Sequence, residues 1–224
     1  MASPLPSQLR LAAVLPALNE SASIAAVVRA IRPFAHAIVV DDGSTDDTGR
    51  LAREAGAEVV RHETNRGYDK ALETGLWRAL ELEFDAAVTL DADGQHDPST
   101  LLRFAEAFAE GAELVIGIRD RQQRWSETLF CIVGSALWGI EDPLCGMKGY
   151  RTSLLRRAGW FDSYRSIGTE LAVRAAKSHV RIAQVPVPTR QRQGASRFGG
   201  GLKANWRITR ALGLGLLRTQ PFAP

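Results

Sequence analysis

Cysteine is scarce: the 224-residue chain has two, Cys131 and Cys145. Two cysteines make no disulfide framework, and neither stands in a paired metal-ligand spacing, so a reducing cytoplasm is the default compartment. Long apolar runs are missing as well. The nearest approach, LFCIVGSALWGI at 129–140, falls short of the ~18–20 residues that span a bilayer and suits a buried or interfacial helix. The first residues, MASPLPSQLRLAAVLPALNE, lack a basic start followed by a clean apolar stretch, so they do not read as a secretion signal. Neither sign of charge dominates. A formal net charge of +3, with the basic residues crowded toward the C-terminal half, gives little ground for a nucleic-acid partner. No repeat, low-complexity segment or clear linker divides the chain, which implies one domain over 1–224.

What is present is alternation. LAAVL (11–15), AIVVDD (37–42), AEVVRH (57–62), AAVTLDAD (86–93) and AELVIGIR (112–119) read as strands. Between them lie helical patterns, SASIAAVVRAI, TDDTGRLAREAG, DKALETGLWRALEL (69–82) and PSTLLRFAEAFAEG, with Pro98 in the first turn of the last. Short continuous apolar strands between helices predict an α/β domain: a mainly parallel, Rossmann-like sheet with helices on both faces. After residue 120 the alternation breaks into an apolar helix, a loop EDPLCGMKGYR, a helix near IGTELAVRAAKS, a strand VRIAQVPVP and a basic tail.

Ligands of such sheets bind outside the carboxyl ends of the strands. Acidic and amide side chains gather at those ends: Asn19 and Glu20 after the first strand, Asp41 and Asp42 after the second, Asp91 and Asp93 after the fourth. In an extended segment, side chains at i and i+2 point the same way, so Asp91 and Asp93 could aim at one point with the Gln95 carbonyl nearby. Carboxylate and amide oxygens suit Mg²⁺ or Mn²⁺ on a diphosphate. An isolated Asp-x-Asp is more often an acidic turn, but its place on a polar rim favours the metal. His96 reads as a turn residue, because hard cations prefer oxygen. Asp41 or Asp42 can accept from a base edge or a ribose hydroxyl, while Thr45, Asp46 and Asp47 read as turn and helix cap. Pro16 stiffens the first strand's exit, Asn19 or Ser21 is placed to cap the next helix, and Glu20 can face the ligand. In NRGYDKA (65–71), Lys70 can reach a phosphate. No glycine-rich basic loop follows the first strand, which argues against a nucleotidyltransferase.

PALNE, VVDDGSTDDT, NRGYDKA and LDADGQHDP, in this order over roughly residues 11–120, resemble the family 2 glycosyltransferases of GT-A fold. VIGIR (115–119), DPLCGMKGYR (142–151) and the RQRQGASRFGG tail extend the likeness toward the dolichol- and polyprenyl-phosphate sugar transferases. The resemblance implies that the first two motifs hold the nucleotide, that Asp91, Asp93 and Gln95 hold a metal on the diphosphate, and that Arg119 and a later arginine contact phosphate. That later arginine is Arg190 or Arg192. Arg197 stands where the subgroup often has lysine, MKGY replaces an FRAY-like run, and the transmembrane helices that follow the domain in many members do not appear in this sequence.

A nucleotide diphosphate sugar loses its anomeric C–O bond while charge builds on the leaving diphosphate, so a metal and cationic side chains are needed. Donor and acceptor held in line imply inversion. A hydroxyl acceptor needs a base, for which Asp142 is the candidate. A phosphate monoester, with a second pKa near ~6, needs cations instead. Arg119, Arg124, Arg192, Arg197 and Lys203 are the phosphate-clamp candidates, and the mixed basic and apolar tail suits a membrane interface. The expectation is a metal-dependent inverting glycosyltransferase using a GDP- or UDP-sugar and a polyprenyl phosphate. It would be cytoplasmic, with peripheral contact at the inner membrane face. Residues 10–120 would take nucleotide-sugar and metal, 121–200 the acceptor, and 201–224 would form an amphipathic end. The rivals are the same donor chemistry onto a hydroxyl, and an inactive nucleotide-binding module.

Overall fold

A computed structural model describes residues 9–94, 96–120, 124–159, 161, 168–188, 201–217 and 221–222. The elements run β1 (Leu11–Ala17), α1 (Ile24–Ile31), β2 (His36–Asp41), α2 (Thr48–Glu54), β3 (Glu58–Arg61), α3 (Tyr68–Glu81), β4 (Ala86–Thr89), α4 (Thr100–Ala109) and β5 (Leu114–Arg119). Then come α5 (Trp125–Trp138), β6 (Lys148–Arg151), α6 (Thr152–Ala158), α7 (Thr169–Lys177), β7 (Ile182–Val187) and α8 (Gly201–Leu217). Among the described residues the strands form one sheet in the order β3-β2-β1-β4-β6-β5-β7. Every neighbouring pair is parallel except those of β6, which runs antiparallel to both β4 and β5. The expected α/β architecture is therefore present.

Strand periodicity sorts the core into two layers. From β1, Leu11, Ala13 and Leu15 pack with Val28 of α1, Ala52 of α2 and Phe104 of α4. Ala12 and Val14 face the other way, onto Leu72 and Leu76 of α3, Leu154 of α6 and Leu171 of α7. Both faces of β1 are covered, which is why the strand reads as a continuous apolar run rather than an alternating one. A smaller cluster of Phe130, Leu144, Ala211 and Leu212 joins α5 to α8.

The short helix α6 is absent from the sequence reading, and two further differences bear on the site. Residues 148–151, expected within a loop, form β6 in the middle of the sheet. Four residues with two basic side chains and a glycine carry no strand periodicity. The glycine is what the position requires, since a Cβ on Gly149 would stand 2.8 and 2.9 Å from Phe108 and Phe104. The second difference is the end of β4. It stops at Thr89, where the hydroxyl donates to Gly146 O at 2.7 Å, and residues 92–93 lie in a turn with Gly94 at φ +75°. Asp93 thus leaves from a turn, and Asp91 from the irregular residues just before it, not from an extended strand.

Candidate active site at the carboxyl rim of the sheet

The rim beyond β1 and β2 is a set of loops fastened by carboxylates. Asp41 is fully buried and accepts from Ser44 N at 2.9 Å and Arg61 Nη1 at 3.0 Å. Asp42 accepts from Arg66 N and Gly67 N, each at 2.9 Å, and lies 2.7 Å from His62 Nδ1. Through these bonds both side chains shape the loops 43–48 and 62–67. Asn19 adopts φ 54°, a region asparagine tolerates, and its Oδ1 accepts from Thr45 N at 2.9 Å. Asp46 takes Ser21 N at 3.2 Å and Thr48 N at 3.0 Å. Although partial burial opposes it, hydrogen bonds from Thr48 and Ser21 lower the Asp46 carboxyl to about 2. Neither Asn19 nor Ser21 caps α1, which starts after Ser23 with no side-chain cap. Ser23 Oγ instead approaches Glu20 Oε2 at 3.1 Å and Ala92 O at 3.0 Å, tying the first loop to the acidic turn. Pro16 lies buried inside β1, and Lys70 is exposed and paired with Glu73.

Tyr68 ties α3 to Asp91. The Tyr68 hydroxyl donates to Asp91 Oδ1 at 2.8 Å, and burial followed by the charges of Asp91, Asp69 and Asp93 pushes that hydroxyl well above the usual tyrosine range. His96 Nε2 lies 3.8 Å from Asp91 Oδ2. Among the described residues no three His, Cys, Asp or Glu side chains gather as a metal cage. Two carboxylates at and just before one turn nevertheless suit a hard divalent cation that takes its remaining ligands from a diphosphate and water. Gln95 lies outside the described residues.

Loop 142–147 joins this acidic turn to a cationic cluster. Gly146 comes close enough that a Cβ there would stand 3.8 Å from both Asp91 Oδ2 and Tyr68 OH. Four residues earlier, Asp142 is fully buried. Arg119 grips it as a fork, with Nε to Oδ2 at 2.8 Å and Nη2 to Oδ1 at 2.9 Å. Burial alone would lower the Arg119 pKa, but the bonds and charge of Asp142 raise it. The guanidinium is a fixed cation. Both oxygens of Asp142, the candidate base, accept from the Arg119 guanidinium. Burial and then the Asp142 charge push the neighbouring Cys145 thiol up to about 11, so it is an inert thiol. Arg190, Arg192 and Arg197 lie outside the described residues, as does the side chain of Lys203.

Two further buried charges belong to this cluster. Glu127, on α5, pairs with Arg119 and Arg124. Lys148, on β6, donates its ammonium to Cys145 O at 2.6 Å beneath the same loop. A single acid inside the apolar stretch WSETLFCIVGSALW was the available signal for the first. Nothing in the sequence marked Lys148 as buried.

The model of glycosyl transferase family 2 matches residues 12–126. A dolichyl-phosphate hexose transferase of Haloferax volcanii is 31% identical over 209 residues, covering 85% of this chain and 89% of that one. An undecaprenyl-phosphate mannosyltransferase of Micrococcus luteus is 30% identical over 220 residues, covering 87% and 89%. Among solved structures, glucosyl-3-phosphoglycerate synthase from Mycobacterium tuberculosis, with Mn²⁺, UDP and glucosyl-3-phosphoglycerate, is similar at a TM-score of 0.72 and 25% identity. That likeness covers 92% of this chain and 80% of the other.

Proposed function

The chain belongs to glycosyl transferase family 2, and we propose that it transfers a hexose from a nucleotide diphosphate sugar to a polyprenyl phosphate with inversion. The observation that carries the acceptor is the Arg119–Asp142 fork. The acid nearest the acceptor side is buried against a guanidinium, so this rim offers a cation in place of a base. A phosphate monoester is largely dianionic at neutral pH and needs no proton removed. It does need a positive seat, and Arg119, oriented by Asp142, provides one. Asp142 is then a positioning residue.

The loops 18–23, 42–48 and 62–67, fastened by Asn19, Asp41, Asp42 and Asp46, form the wall against which the nucleotide rests. Asp91 and Asp93, with Gln95, would hold Mg²⁺ or Mn²⁺, which supplies positive charge to the leaving diphosphate. Tyr68 fixes the Asp91 carboxylate in place. The anomeric C–O bond to the diphosphate breaks as an acceptor phosphate oxygen attacks from the opposite side. The nucleoside diphosphate leaves, and Arg119 balances charge on the phosphates. Holding the two reactants in line supplies much of the rate. The acceptor's apolar tail would be met at a membrane surface by α5 and α8, which expose Trp125 (64%) and Ile132, and Trp206 (62%) and Leu217, respectively. No helix of the described residues is long and apolar enough to cross a membrane.

The test is release of free nucleoside diphosphate from a panel of UDP-, GDP- and dTDP-sugars with Mn²⁺, with and without a short polyprenyl phosphate. Release that rises with the lipid phosphate and vanishes with EDTA is the expected result. Donor binding without lipid-stimulated release would move the acceptor to a hydroxyl, a reading favoured by the similarity to glucosyl-3-phosphoglycerate synthase. Absence of binding by every donor would point to an inactive module.

A further inference from the structure

Helix α5 carries a single charged side chain in fourteen residues, Glu127. That side chain is 5% exposed, a place where a carboxylate must be paired. Its Oε1 accepts from Arg124 Nη1 at 2.8 Å and its Oε2 from Arg119 Nη1 at 3.3 Å. One carboxylate therefore holds two guanidinium groups that would otherwise repel. Both arginine side chains are 18% exposed, so the acid is the deeper partner and lies beneath the pair rather than in front of it. Asp142 grips Arg119 through its other two nitrogens. The start of α5 is itself anchored, since Ser126 Oγ donates to Asn205 Oδ1 of α8 at 2.5 Å.

We infer that Glu127 is a positioning residue that draws Arg119 and Arg124 together, so that their outward faces form one seat for the phosphate of the acceptor. The inference rests on the lipid-phosphate reading above. Two guanidinium groups bridging one phosphate bind it better than either alone. Charge and geometry predict opposite signs for the loss of this acid. If attraction alone mattered, Glu127→Gln would leave the seat more positive and tighten phosphate binding. If alignment matters, the same change loosens it.

The experiment compares wild-type protein with Glu127→Gln and Glu127→Asp. Binding of citronellyl phosphate, a short isoprenoid monophosphate, is measured by calorimetry, with KM for acceptor and donor and the melting temperature alongside. In Glu127→Gln, acceptor Kd and KM should rise about tenfold, the scale of one charge-assisted hydrogen bond, while donor KM stays within about twofold. Glu127→Asp keeps the charge on a shorter arm and should recover part of the loss; should the glutamine variant not fold, a weakened acceptor Kd in Glu127→Asp carries the test. Unchanged or tighter acceptor binding in folded protein, or equal losses for donor and acceptor, would overturn the inference. If wild-type protein binds no citronellyl phosphate, the lipid-phosphate reading fails on its own. The crystal structure of Glu127→Gln then decides about alignment: arginines that stay together overturn it, and arginines that separate support it.

Discussion

At the ends of β1 and β2 the loop carboxylates mostly face backbone N–H groups, whereas beyond β5 the buried carboxylates face guanidinium groups. Asp42 takes Arg66 N and Gly67 N, and Asp46 takes Ser21 N and Thr48 N. Asp142 and Glu127 take Arg119 and Arg124. An acid bonded to amides fixes main chain, so the first rim holds its loops in shape. An acid bonded to guanidinium fixes a cation, so the second rim holds charge in place. The two rims should therefore fail differently when an acid is removed.

The largest effect is expected from Asp142→Ala. It leaves Arg119 mostly buried without its fork, and breaking a buried pair from one side costs about 3–5 kcal/mol. Turnover should fall by on the order of a hundredfold or more, because the cation that balances phosphate charge is no longer aimed. Urea unfolding and steady-state kinetics check both. A variant as stable as wild type would erase the contrast between the rims.

Asp42→Asn tests the other rim. The asparagine keeps one acceptor oxygen but turns an NH₂ group toward a former donor, Arg66 N or Gly67 N. The loss should be about 1–3 kcal/mol, with a raised donor KM and little change in kcat at saturating donor. A fall in kcat with donor KM unchanged would mean that Asp42 acts on chemistry rather than on loop shape.

The difference between the rims also explains what the sequence made legible. The parallel strands and their helices were readable because each strand is a short apolar run bounded by turn residues, as in LAAVL and AIVVDD. The acids at strand ends could be placed on one rim from strand direction alone. Which protein groups each carboxylate holds was not readable: the amide and side-chain partners of Asp41 and Asp42 come from residues up to 25 positions away. In the second rim, Asp142 and Arg119 are 23 positions apart and meet only because β6 enters the sheet between β4 and β5. No periodicity announces a strand of four residues containing Gly149, so that meeting could not be read.

The smallest effect belongs to Asp46, and it separates pH dependence from bulk stability. Its carboxyl is partly buried, which opposes ionisation, yet the hydrogen bonds from Thr48 and Ser21 lower it to about 2 from the ordinary 3.8. A carboxyl depressed in the folded state stabilises the fold above its unfolded value. That contribution is fully present above pH ~4 and is lost as pH falls toward ~2. Because the group is partly open to solvent, the contribution should be on the order of 1 kcal/mol. Asp46→Asn should thus be less stable than wild type by about that amount at pH ~5, and the gap should close on acidification. Denaturant melts of both proteins between pH ~5 and ~2 measure it. A gap that stays constant with pH would mean that Asp46 supports the loop through shape alone, making the first rim less dependent on ionised carboxylates than its hydrogen bonds imply.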